Sequence, residues 1–130
     1  MCINERYRYL SRVQKRWDDA NRLAAEQALA GEGIHARCTG YPNDVLPGSS
    51  LAQVNFPYDE GDELLHPEDV NDPARCGVVL RDVIFRLAML LEDVNLAHGL
   101  GALSTAHHSR EVELLAEACR RAARRIKAYL

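Results

Sequence analysis

Between Cys76 and Glu92 the chain carries Val79, Leu80, Val83, Ile84, Leu87, Ala88, Leu90 and Leu91 at helical spacing, interrupted only by Arg81, Asp82, Arg86 and Glu92. Apolar side chains would cover most of the circumference of such a helix, so it has to be covered on two sides. A chain of 130 residues offers one core. Part of this helix is therefore expected to meet a partner surface. It is not a membrane span, because the longest continuous apolar runs, such as Leu87 to Leu91, are far too short.

The other elements follow from periodicity and punctuation. Residues 5 to 30 read as one long amphipathic helix, with Leu10, Val13, Trp17, Ala20 and Ala24 on one face and Arg6, Arg12, Arg16, Asp19, Arg22 and Glu26 mostly elsewhere. Gly31 and Gly33 stop it. Residues 34 to 39 read as a short strand, and 40 to 44 as a turn. Residues 50 to 56 alternate, placing Ala52, Val54 and Phe56 opposite Leu51, Gln53 and Asn55, as in a half-buried strand ended by Pro57. The stretch 57 to 75 has seven carboxylates against Arg75 alone and reads as an exposed acidic loop or lid. Val94 to Ala97 and Leu100 to Leu103 read as two short strands around His98-Gly99. A last helix spans about 109 to 129. Val112, Leu115, Ala116, Cys119, Ala122, Ala123 and Ile126 form its apolar stripe, with Glu111 and Glu113 in its first turn and arginines toward its end, as the helix dipole favours. The expected fold is α+β: one domain over 1–130, a small, mainly antiparallel sheet with helices on one face, a long N-terminal helix and a C-terminal helix.

Composition and motifs narrow the function mainly by exclusion. Sixteen basic against 19 acidic residues give a net charge of −3, which argues against a dedicated nucleic-acid binder. The N-terminus lacks the apolar stretch of a signal peptide, and Cys2, Cys38, Cys76 and Cys119 form no C-x-x-C pair, so reduced thiols and a cytoplasmic setting are expected. His98, His107 and His108 lie close in sequence, but adjacent histidines diverge and no H-x-x-x-H spacing exists, so no metal site is expected. The regular calcium-loop spacing is missing from the acidic stretch. Ser104 stands three residues before His107, but outside any G-x-S-x-G elbow, and no phosphate loop is present.

One stretch is more informative. Residues 94 to 127, and in particular Leu103-Ser104-Thr105-Ala106-His107 followed by Glu111-Val112-Glu113, resemble the end of class III, fold type I pyridoxal-phosphate aminotransferases, closest to the glutamate-1-semialdehyde aminomutase group. That group ends in a strand, a turn and "L-S-x-A-H-T-x-x-D-I-D" opening the final helix. The helix from Tyr7 to Ala30, the passage from Ile34 to Gly40 and Ser50 to Phe56, and the helix from Val78 to Leu91 follow in the same order as in the family's C-terminal small domain. His108 replaces the motif threonine, which leaves Ser109 as the expected cap of the final helix. The aminomutase glutamate falls at about Gly99, beside His98, which leaves transamination or another reaction of the cofactor open.

The resemblance implies a separate large domain with the cofactor-anchoring lysine, the carboxylate partner of the pyridine nitrogen and the phosphate-binding loop. The two lysines of this chain, Lys15 beside Arg16 and Lys127 among arginines, read as exposed rather than desolvated. No catalytic residue is expected in the chain. It is expected to be inactive alone and to act as the small-domain subunit of a split enzyme, in a hetero-oligomer with a larger chain that holds pyridoxal phosphate and takes an amino-acid-like substrate. His98 and Gly99 would face the substrate entrance. A free-standing binding or regulatory module derived from such a domain is the alternative. A shortened form of a longer enzyme and a small independent enzyme using His98 and His107 are further, weaker alternatives.

Overall fold

The computed structural model describes residues 19–40, 51–102 and 108–130. Helical residues 19–31 form α1, and its expected beginning at residue 5 lies outside the described residues. The helix ends as its glycines predict. Gly33 takes a positive φ of 80°, its N–H donates to Ala30 O, and Ile34 N–H reaches back to Leu29 O, satisfying the last carbonyls. The buried stripe of α1 is Asn21, Ala25, Ala28 and Leu29, with Arg22 also buried, one residue out of step with the expected Ala20–Ala24 face. Arg22 is drawn in by polar partners, donating to Thr39 O and Asp19.

Strands β1 (Arg37–Thr39), β2 (Leu51–Asn55) and β3 (Leu100–Ala102) make a three-stranded sheet in the order β1-β2-β3, antiparallel throughout. The register pairs Cys38 with Val54 and Ala52 with Gly101. Ala52, Val54 and Phe56 are buried, so β2 presents the expected alternate residues to the core. The first of the two expected short strands, 94 to 97, does not form. Val94, Asn95 and Leu96 belong to no strand, and Leu96 instead turns its side chain into the core.

Beyond β2 the acidic stretch folds on itself. Tyr58 N–H donates to Arg75 O and Gly77 N–H to Phe56 O, closing the base of the loop. The short helix α2 (Pro67–Asn71) lies inside it, and Arg75 bridges Asp62 and Asp69. The lone arginine of the stretch is therefore its internal tie, and its hydrogen bond to Asp62 keeps that carboxyl below its ordinary range.

The apolar segment is helical from residue 78 to 90, passing through a π-helical stretch, Leu80–Phe85, directly into α3 (Arg86–Leu90). Phe85, Ala88 and Met89 face inward, and the Phe85 ring meets Phe56 edge-on at 5.2 Å. The last helix, α4 (Ser109–Lys127), packs across the π-helix and α3. Its inner face is Ala116, Cys119, Ala122, Ala123 and Ile126, small enough for the helices to approach closely. Residues of α1, the sheet, the π-helix, α3 and α4 share one core, so the α+β fold with helices on one face of a small antiparallel sheet is realised.

The cap of α4 differs from expectation. His108 is the N-cap and Ser109 the first helical residue, because Glu111 accepts a hydrogen bond from His108 N–H at 2.8 Å and closes the first turn from within. The arginines at the other end are tied to the domain: Arg124 meets Glu32, and Arg121 and Arg125 both meet Glu92.

Candidate functional site

Asn55 stands on the polar side of β2 and is nevertheless fully buried. The group that meets it is Arg81, the first charged residue of the apolar helix, only 2% exposed. All five guanidinium donors are used. Nη1 donates to Asn55 Oδ1 (3.0 Å) and Val70 O (2.7 Å), and Nη2 to Asn71 Oδ1 (3.0 Å) and Asp82 Oδ2 (3.1 Å). Nε donates to Asp82 Oδ1 (2.6 Å). A desolvated guanidinium is tolerable only in such a fully satisfied setting. It ties β2, α2 and the π-helix together.

Asp82 carries this network outward. Its carboxyl is held below the ordinary range chiefly by the hydrogen bond from Arg81, and His98 adds to the effect. His98 Nδ1 lies 3.4 Å from Asp82 Oδ2 on a largely exposed ring. Nδ1 of the ring thus faces the carboxylate, while the rest of the imidazole is open to a ligand.

The backbone beneath the imidazole is equally constrained. His98 and Gly99 both have left-handed φ, 53° and 72°. Gln53 Nε2 donates to His98 O at 2.9 Å, and Val54 N–H donates to Gly99 O at 3.0 Å. A Cβ on Gly99 would stand 2.6 Å from Val54 O and 2.8 Å from Arg81 Cγ, so the turn can press onto β2 and Arg81 only because residue 99 is glycine.

Gly99 and Gly101 also line a cavity of about 590 Å³ between α1, the sheet, residues 92 to 96 and α4. Ala25, Ala52, Val54 and the thiols Cys38 and Cys119 supply its apolar lining. Burial pushes both thiols up, Cys119 to about 12 and Cys38 further, so neither provides a thiolate near neutral pH. Alkylation of folded protein followed by peptide mass spectrometry is expected to label Cys38 and Cys119 at least about tenfold more slowly than in the denatured chain. Equal rates would show that the fold does not shield them.

The structure thus brings His98 and Gly99 into one built turn. Ser104 and His107 lie outside the described residues, as does Lys15. Lys127 is exposed in the last turn of α4. A lysine anchoring pyridoxal phosphate must be desolvated or otherwise tuned, so no described residue fits that task. His108 serves the start of α4 rather than joining His98. Sequence reasoning missed Arg81, Asp82 and Asn55 as partners of the turn. The available signal was the charged pair Arg81-Asp82 set between apolar residues of the helical run.

No protein-family model matches the chain, and no curated protein matches it. The arrangement itself can position a polar group at His98 Nε2 and hold the turn rigid from behind.

Proposed function

We propose that this chain is the small-domain subunit of a split pyridoxal-phosphate-dependent aminotransferase-like enzyme, completing the active site of a partner chain that carries the cofactor lysine. The supporting observation is the outer face of the helical run 78–90. Val79, Val83, Leu87, Leu90 and Leu91 stand between 50% and 69% exposed, and Ile84 lies beside them. Covering a large aliphatic side chain is worth on the order of 1 kcal/mol or more, so this face favours a protein partner over water. Its occupant in this reading is the large, cofactor-bearing chain, and His98, held by Asp82 from the same helical run, would stand at the entrance for an amino-acid-like substrate. The cofactor would supply the amino-transfer chemistry. The chain's own part is to cover the partner, position His98 and limit access of water. A cytoplasmic setting, with the cysteines reduced, belongs to the same proposal.

The test is purification from the native source under gentle conditions, with mass spectrometry of the co-eluting chains and an amino-transfer assay. The expected result is a larger chain with pyridoxal phosphate on a lysine, active only when both chains are present. The double variant Val83→Glu, Leu87→Glu changes exposed positions and is expected to leave the fold intact while weakening the partner about a hundredfold. A chain that elutes alone, folded and colourless with added cofactor would displace this reading in favour of a free-standing binding or regulatory module.

A further inference from the structure

We propose that the cavity between α1, the sheet and α4 is a binding site for a small organic amine with an apolar body. This does not depend on the split-enzyme reading, because the outer face of the 78–90 helical run contributes nothing to the cavity. The cavity volume, about 590 Å³, lies within the range of small-molecule sites. Its lining sets aliphatic side chains and two thiols beside Asn21, Asn95 and five charged residues, so the state of those polar groups decides what it can hold.

Two polar groups of the lining are unspent. Asn21 is 7% exposed, and its Oδ1 has no hydrogen-bond partner among the described residues. A buried acceptor of this kind costs stability unless something donates to it. Asp93 lines the same cavity from an exposed position on a left-handed turn, with φ of 62°, and makes no ion pair among the described residues.

The other charges of the lining are committed. Glu92 is held by Arg121 and Arg125, and Arg22 reaches Asp19 and Thr39 O. Glu111 already occupies the N-terminus of α4, the place where an anionic ligand would otherwise be welcomed. The uncompensated charge is therefore the Asp93 carboxylate. A cationic head at Asp93, an apolar body along Ala52, Val54 and Leu115, and a donor reaching Asn21 satisfy what the cavity leaves open.

The experiment compares three probes of similar size, tyramine, tyrosol and 4-hydroxyphenylacetate, each with a phenol O–H that can donate to Asn21, by titration against the full chain with amide chemical-shift mapping. The amine is expected to bind most tightly, with shifts at α1, residues 92 to 96 and the start of α4. Asp93→Asn keeps the turn, since asparagine tolerates left-handed φ, and is expected to weaken the amine about five- to tenfold while leaving the alcohol unchanged. Asn21→Leu is expected to weaken the amine and to raise the melting temperature of the free protein, because it removes an unsatisfied buried group. 4-Hydroxyphenylacetate binding as well as the amine, unchanged affinity in Asp93→Asn, shifts confined to the 78–90 helical run, or an Asn21→Leu variant that is destabilised yet binds normally would each overturn the assignment.

Discussion

Replacing Arg81 by methionine is expected to destabilise the domain by about 3–5 kcal/mol, a large part of the roughly 5–15 kcal/mol available to a domain of this size. The volume of the side chain is largely kept, so the loss is electrostatic. Asn55 Oδ1, Val70 O and Asn71 Oδ1 lose a common donor, and Asp82 loses the cation that faces it. Asn55 has no route to water, because it is fully buried. Lysine at this position would keep the charge but not the planar fork, so Arg81→Lys is expected to lie between methionine and the native residue. Urea denaturation of the three proteins checks the order. A loss below about 1 kcal/mol for Arg81→Met would mean that the network adds little beyond filling space. Because Asp82 holds His98, the same variant is also expected to release the imidazole, visible as a change in the His98 ring chemical shifts by NMR.

Gly99→Ala is expected to cost about 3 kcal/mol, the second largest effect. Two costs combine. A residue with a Cβ is unfavourable at φ of 72° by about 1–2 kcal/mol, and crowding of a packed site typically adds about 1–3 kcal/mol. The crowded atoms are Val54 O, which is backbone, and the buried stem of Arg81, which is pinned by its own hydrogen bonds, so neither yields cheaply. Gly31→Ala provides the contrast, since nothing lies within 4 Å of a Cβ there and its φ is ordinary. Thermal unfolding of the two variants separates the site from a general intolerance of added methyl groups. A Gly99→Ala protein that melts like the native one would show that the 98–99 turn moves freely, and the rigid presentation of His98 would go with it.

The two outcomes bear on how readable the site was. His98-Gly99 stood out in the sequence as a break between apolar segments, and the structure makes it a turn with two left-handed residues. Its supports were not readable. Arg81 and Asn55 are 26 positions apart, and each has an ordinary solvent-facing reading by itself. Asn55 falls on the polar alternate of β2, where only the arrival of a second element decides whether it meets water. The same holds for Asp62 and Asp69, which read as part of an acidic run until Arg75 is placed between them.

Local periodicity, chain punctuation and dipole preference determined the elements by themselves. The alternation from Ala52 to Phe56, the glycine stop at Gly33, the apolar stripe of α4 and its acidic start and basic end are all properties of near neighbours, and near neighbours are what a sequence displays. Tertiary structure alone decided which polar groups are buried, that 94 to 97 forms no strand, that α1 turns Asn21 and Arg22 inward, and that the helical run 78–90 keeps a bare apolar face. These depend on which distant surfaces meet. A helix apolar all round states that two faces need cover, but only the packed domain shows which face its own residues reach and which stays exposed.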